Sequence, residues 1–253
     1  SGIPGNKRNL YAVLTSIHMI TRILQLLTPP VIPAIGRRLG ILSTPGKIIR
    51  YPKNENDTQD LDMYFDPEYA KILDNWGADN TWIEIQMLLC NCEGKVLDIA
   101  CGTGVTISIL GKYPKLEVHG CDISDLLIAK AAERGIPKDR LAVTDATQMS
   151  YPNDSFDYSY SIGSLEHFTT NGIDKFIAEA SRITRKCSMH MIPTSKSGQN
   201  EGWMTTSTTI QTFHNNSDAW WLERFKRHFR EVHILNSRWN DGISFGRWFV
   251  CKR

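Results

Sequence analysis

Val96-Leu97-Asp98-Ile99-Ala100-Cys101-Gly102-Thr103-Gly104 is the stretch that decides the fold. Val96, Leu97 and Ile99 form the short apolar run of a central parallel strand covered on both faces. Gly102 and Gly104 then allow backbone angles, and a close ligand approach, that a side chain would block. From Val105 to Lys112 the sequence reads as a helix, closed by Tyr113-Pro114. Strand, glycine turn and helix in this order place a nucleotide site at the carboxyl edge of an open sheet.

A dinucleotide site would carry G-x-G-x-x-G, whose third glycine lets the helix pack closely on the strand. Ile107 occupies that third position, and Asp98 stands inside the strand end ahead of the glycines. The run resembles motif I of the class I S-adenosylmethionine-dependent methyltransferases: two apolar residues, Asp, an apolar residue, then Gly/Ala-x-Gly-x-Gly. Ala100 takes its small first position, and Gly102 and Gly104 its last two glycines. Further on, Asp145-Ala146-Thr147, Met149 and Tyr151-Pro152-Asn153-Asp154-Ser155-Phe156-Asp157 are similar to the ubiquinone/menaquinone-methyltransferase branch. The resemblance covers about residues 94–253. It implies an α/β, Rossmann-like fold with a seven-stranded, mostly parallel sheet and an antiparallel last strand, plus an N-terminal helical extension.

Periodicity and turn residues place the other elements. Strands are expected over 116–121, 141–143, 156–161, 187–192, 231–235 and 244–251, with a hairpin turn at Asn240-Asp241-Gly242. Helices are expected over 81–89, 125–134, 172–184 and 217–230, the second of them ended by Gly135. Residues 193–212 read as a long polar loop, which in a compact domain is usually functional.

Asp122 ends the second strand about 20 residues past the glycines, where a carboxylate accepts hydrogen bonds from a ribose diol. Its other reading is a helix cap, a role Ser124 also suits. The resemblance implies that Asp145 bonds the adenine amine and that Ala146 lies near the ring. It adds Ile123 and Ser161 to the cofactor site, beside Asp98, Ala100, Gly102 and Gly104. The cofactor it implies is S-adenosyl-L-methionine. After the fourth strand comes Ile162-Gly163-Ser164-Leu165-Glu166-His167-Phe168, a segment that in the family borders the reacting methyl group. His167 is the candidate general base, because neutral imidazole can take a hydroxyl proton near pH 7. Its competing role is to orient the loop. Some quinone-type relatives bind a divalent ion with Glu-x-x-Glu-His; Gly163 stands where the first Glu would be, so no metal site is expected.

The chain has 253 residues and a net charge of only +2, unevenly spread. Residues 1–54 hold eight Lys/Arg and no Asp or Glu. That asymmetry marks a separate device. Residues 10–27 place Val13, Ile17, Ile20, Leu24 and Leu27 on one side of a helix and polar residues on the other. Such a helix either packs on the core or lies in a membrane surface with its basic flanks on anionic headgroups. Arg22 and the short length argue against a span. Basic residues here are scattered rather than clustered, so no nucleic-acid partner is expected. The division read from sequence is a basic arm and linker, residues 1–62, and a methyltransferase domain, residues 63–253, with a helical lid over 63–93. Tyr64, Phe65, Tyr69 and Trp76 are the lid aromatics placed to cover cofactor or acceptor, or simply to fill the core.

The six cysteines form no C-x-x-C pair, so they read as reduced thiols of a cytosolic compartment, and no stretch reads as a secretory signal. The expected function is methyl transfer to oxygen or carbon of a small acceptor, apolar or lipid-linked, with association to a membrane surface through the arm. The competing functions are methylation of RNA or protein, and a methyltransferase fold kept as a non-catalytic scaffold.

Overall fold

In the computed structural model the strand at the glycine turn has Val96, Leu97, Asp98 and Ile99 all buried. The structure describes residues 48–54, 59, 61–207, 209 and 211–253. The helix expected over 10–27 lies outside them. In chain order the strands and helices begin with β1 (Arg50–Pro52), α1 (Pro67–Leu73), α2 (Thr81–Leu89), β2 (Gly94–Ile99), α3 (Val105–Leu110) and β3 (Leu116–Asp122). They continue with α4 (Asp125–Glu133), β4 (Leu141–Val143), β5 (Phe156–Ile162), α5 (Thr170–Ile183) and β6 (Thr184–Ser195). The last are β7 (Trp203–Thr206), β8 (Phe213–His214), α6 (Asp218–Lys226), β9 (Glu231–Asn240) and β10 (Ser244–Lys252).

The seven-stranded sheet has the order β4-β3-β2-β5-β6-β10-β9. β2 lies parallel between β3 and β5, with Ile99 beside Cys121 and Leu97 beside Ser159. β10 runs antiparallel to β6 and to β9. The fold is therefore the Rossmann-like arrangement expected from the sequence, with its antiparallel strand contributed by the terminal hairpin.

Alternation along β2 feeds two cores. Leu97 and Ile99 face α5 and α6, meeting Ile173, Phe176, Ile177, Trp221 and Phe225. Val96 faces the other way, toward Ile85 and Leu89 of α2, Ile107 and Leu110 of α3, and Trp248. α5 forms where it does because Ile173, Phe176, Ile177 and Ala180 recur at helical spacing, and all four are buried. Thr169 caps it by accepting from Gly172 N, and Ser217 caps α6 by accepting from Trp220 N. Each large apolar side chain so buried contributes about 1.5–3 kcal/mol.

Two expectations change. Residues 193–212 are not one polar loop: β6 runs on to Ser195 and β7 follows. Trp203, Met204 and Phe213 are buried, and the last two pack with Ile243, so apolar anchors fix this stretch from within. β7 pairs with β8 and with β1, forming a second, three-stranded sheet. β1 falls inside the stretch read as arm and linker, and Ile48–Arg253 form one compact unit. The predicted strand 231–235 also extends to Asn240. Glu84 of α2 holds its far end, accepting from Ser237 Oγ and Arg238 N, and from Trp248 Nε1 of β10.

Candidate active site

The C-terminal tips of β2, β3 and β5 and the loop after β4 surround one cavity of about 380 Å³. At the tip of β2 the chain turns through left-handed angles at Ala100 (φ 60°), Gly102 (φ 55°) and Gly104 (φ 73°). A Cβ on Gly104 would stand 2.5 Å from Ile136 Cδ1, so only glycine lets α3 start this close to its neighbours. Ala100 has no such freedom; the surrounding bonds hold it in a conformation that costs about 1–3 kcal/mol.

Asp122 fixes the turn to the tip of β3. Its Oδ2 accepts from Gly102 N at 2.9 Å and its Oδ1 from Ser124 N at 3.0 Å. Burial raises its pKa against the pull of these bonds. Each oxygen keeps a lone pair for a ligand hydroxyl. Ser124 caps α4 through Leu127 N, so the capping role falls to it and not to Asp122. Asp98 lies deeper, its Oδ2 accepting from Thr106 Oγ1 at 2.5 Å and Tyr160 OH at 2.9 Å. Burial pushes its pKa up to about 7, in spite of both hydroxyls. After β4, Asp145 is exposed and holds Thr147 through its N–H and hydroxyl, both at 2.8 Å. Asp98, Ala100, Gly102, Asp122, Ile123, Asp145 and Ala146 all line the cavity; Gly104 sits just behind it.

The segment before β2 closes the cavity with Tyr64, Tyr69, Leu73 and Trp76. Phe65 turns outward instead and is 47% exposed. Four hydrogen bonds hold this lid. Asp74 accepts from Thr103 Oγ1 at 2.5 Å and Arg134 at 2.6 Å, Tyr64 O accepts from Ser124 Oγ at 2.6 Å, and Tyr64 OH accepts from Gln211 Nε2 at 2.7 Å. None of Asp74, Thr103, Arg134 or Gln211 was expected from sequence, because their partners lie far along the chain.

Two expected site residues lie elsewhere. Ser161 is fully buried, and its hydroxyl meets His190 Nδ1 at 2.8 Å rather than the cavity. It belongs to a chain that runs on through His190 Nε2 to Ser188, Ser159 and Thr184. His167 stands behind the lining. Its Nδ1–H donates to Thr212 O at 2.9 Å, leaving Nε2 as the acceptor nitrogen. Burial lowers its pKa to about 4, so it stays neutral and weakly basic. Its neighbour Glu166 is buried to 3% exposure. Among the described residues, no group of three or more His, Cys, Asp and Glu side chains is placed to hold a metal ion.

The model of a family described as a methyltransferase domain matches residues 96–187. Those residues are a methyltransferase domain. They carry the glycine turn, the carboxylates of β2 and β3, and the loop after β4. The methyltransferase domain is of class I, and S-adenosylmethionine is the cofactor that class takes. A tRNA (carboxymethyluridine(34)-5-O)-methyltransferase of Saccharomyces cerevisiae is 37% identical over 29% of this chain and 25% of its own length. A ubiquinone/menaquinone biosynthesis C-methyltransferase of Syntrophotalea carbinolica is 32% identical over 38% of this chain and 43% of its own. The chain thus spans less than half the length of these curated relatives. The solved 1,6-didemethyltoxoflavin-N1-methyltransferase of Burkholderia thailandensis superposes with a TM-score of 0.59 at 12% identity, covering 84% of this chain and 98% of that one. At that identity the likeness speaks for the fold.

The residues present fit the cofactor. Asp122 offers free lone pairs for a diol, Asp145 for an amine, and Gly102 leaves open the place its Cβ would fill, with only Leu73 at 3.4 Å. The carboxylates Asp98 and Asp122 suit a ligand that carries positive charge.

Proposed function

We propose that this protein binds S-adenosylmethionine in the lidded cavity and transfers its methyl group to oxygen or carbon of a small acceptor. The observation that carries this reading is the convergence of Asp98, Asp122 and Asp145 on one cavity closed by an aromatic lid. The sulfonium of the cofactor supplies the chemical drive. The chain's residues supply alignment and exclusion of water: Asp122 and the glycine turn fix the donor, and Tyr64, Tyr69 and Trp76 keep solvent from the reacting end. The aromatic wall of the cavity favours a small acceptor over a polynucleotide, although one relative is named for tRNA. Calorimetric titration with S-adenosylmethionine and S-adenosylhomocysteine tests the donor site. Micromolar binding of both is expected; a folded protein that binds neither has another function.

Binding is expected to release protons. In the free protein Asp98 titrates at about 7, and Asp122 also lies above the usual carboxylate range. A cationic ligand favours both carboxylate forms, so a proton must leave when binding occurs below pH 7. The dissociation constant should therefore weaken by up to about tenfold per pH unit, per released proton, as pH falls below 7. Titrations at pH 6 in two buffers of different ionisation heat read the proton directly. Identical heats in both buffers would contradict this linkage.

The amphipathic residues 10–27, set in a stretch 1–54 that holds eight Lys/Arg and no Asp or Glu, support a peripheral encounter with anionic membranes, which would bring lipid-linked acceptors to the site. Among the described residues no helix is long and apolar enough to span a membrane. Vesicles containing phosphatidylserine should retain the full chain and not a form lacking residues 1–47. Equal retention of both would remove the arm from this role.

A further inference from the structure

Charge is unevenly spread around the cavity. Its carboxylates, Asp98, Asp122 and Asp145, come from β2, β3 and the loop after β4. Another part of its wall comes from the start of α5, through Asn171, Gly172 and Lys175. Lys175 is the one cationic side chain among the described lining residues. Asn171 and Lys175 stand four residues apart on the helix, so they share a face. Both are exposed, which puts them at the mouth of the cavity. Neither side chain has a hydrogen-bond or ion-pair partner among the described residues. The other charged side chains of α5 are engaged. Asp174 faces Arg224 at 3.8 Å and Arg227 at 3.4 Å, and Arg182 donates to Glu179 at 2.6 Å. The cation that its own helix leaves unpaired is thus the one that lines the cavity.

Resting on the methyl-transfer reading, we propose that the methyl acceptor carries a carboxylate, and that Lys175, with Asn171 beside it, selects the acceptor by receiving that group at the mouth of the cavity. The positive charge of the donor is met by Asp98 and Asp122 and gives an ammonium nothing to attract. An ammonium and a carboxamide N–H side by side are both donors, and together they suit the two oxygens of a carboxylate. One oxygen accepts from Lys175 Nζ and the other from Asn171 Nδ2. The apolar body of the acceptor lies inward, against Tyr69, Trp76, Ile162 and Phe168. The ion pair stands where water and salt reach it, so it sorts acceptors by charge more than it anchors them. No proton or electron moves in this contact. Lys175 is a specificity residue, and the methyl group is taken elsewhere on the acceptor.

The test uses 4-hydroxyphenylacetate and its neutral isostere 4-hydroxyphenylacetamide, which share the ring and the hydroxyl. Each is titrated calorimetrically at pH 7.5 and low salt into protein saturated with S-adenosylhomocysteine. The wild type should bind the acid at least tenfold more tightly than the amide, and added salt should shrink that ratio. Lys175→Met should bring the two affinities within twofold of each other, while Lys175→Arg should keep the preference for the acid. Asn171→Ala should lower the ratio in part. S-adenosylhomocysteine also carries a carboxylate, so its affinity is measured in each variant and should stay within threefold of wild type. Equal affinity for acid and amide in the wild type, or no measurable binding of either, overturns the assignment. So does a preference that survives in Lys175→Met or is lost in Lys175→Arg. An unchanged ratio in Asn171→Ala removes Asn171 from the contact. A larger loss of S-adenosylhomocysteine affinity in Lys175→Met overturns the assignment by placing Lys175 on the donor. Absence of S-adenosylhomocysteine binding to the folded wild type overturns the donor reading instead.

Discussion

Asp122→Ala should weaken S-adenosylmethionine binding by a hundredfold or more while leaving the sheet folded. The side chain is 6% exposed and accepts from two backbone amides, Gly102 N and Ser124 N. Removing it leaves both donors without their partner and frees the glycine turn from the tip of β3. It also deletes the acceptors for a ligand diol. A hydrogen bond to a charged group contributes about 1.5–3 kcal/mol, so losing two from the ligand alone costs roughly 3–6 kcal/mol. Each 1.4 kcal/mol is tenfold in affinity, which places the expected loss at a hundredfold or beyond. Asp122→Asn keeps one acceptor oxygen and should fall between the two. Calorimetry beside a thermal melt separates binding from folding. A dissociation constant within threefold of wild type for Asp122→Ala would remove this carboxylate from the donor site.

That Asp122 was legible in the sequence has a simple cause. Parallel strands joined by helices end at the same sheet edge, so a residue at one strand tip predicts its neighbour at the next. Gly102 and Asp122 are 20 residues apart in sequence and 2.9 Å apart in space for this reason. Ser161 shows where the same logic fails. It sits on β5 at even spacing from Ser159, so both point to one face, where Ser188 and His190 of β6 meet them. Period-two alternation could have sent Ser161 into the core, leaving Ile162 to line the cavity. The lid ties were not legible. Asp74 reaches Arg134 across 60 residues and Gln211 reaches Tyr64 across 147, and no local pattern announces such pairs. β1 was missed likewise, because its exposed residues carry no alternation and its partner β7 lies about 150 residues away. Glu166 was read only as half of a metal pair; its burial and unpartnered oxygen exist only in three dimensions.

Phe225→Ala should produce the largest loss of stability among single core substitutions. The ring is fully buried on α6, stacked on His190 at 5.2 Å and on Phe249 at 5.0 Å. It joins the helix to both β6 and β10, so no single neighbour moves to fill the space. A buried Phe→Ala change costs about 3–5 kcal/mol. For a domain of this size that lowers the melting temperature by roughly 10 °C. The ring also keeps water from His190, whose pKa burial lowers to about 3. Since the folded pKa lies below the unfolded value of about 6.5, the unfolded chain takes up the proton first as pH falls. His190 therefore contributes its full stability above about pH 6.5 and loses it progressively toward pH 3. In Phe225→Ala the imidazole is better hydrated and its pKa less depressed, so that acid loss shrinks. Urea unfolding at pH 7.5 and pH 5 reads both effects: a lower midpoint for the variant at pH 7.5, and a smaller drop between the two pH values than in wild type. An unchanged midpoint would mean that the two stacked contacts do not join α6 to the sheet. An unchanged drop would mean that Phe176 and the β5–β6 hydroxyl chain shield His190 without the Phe225 ring.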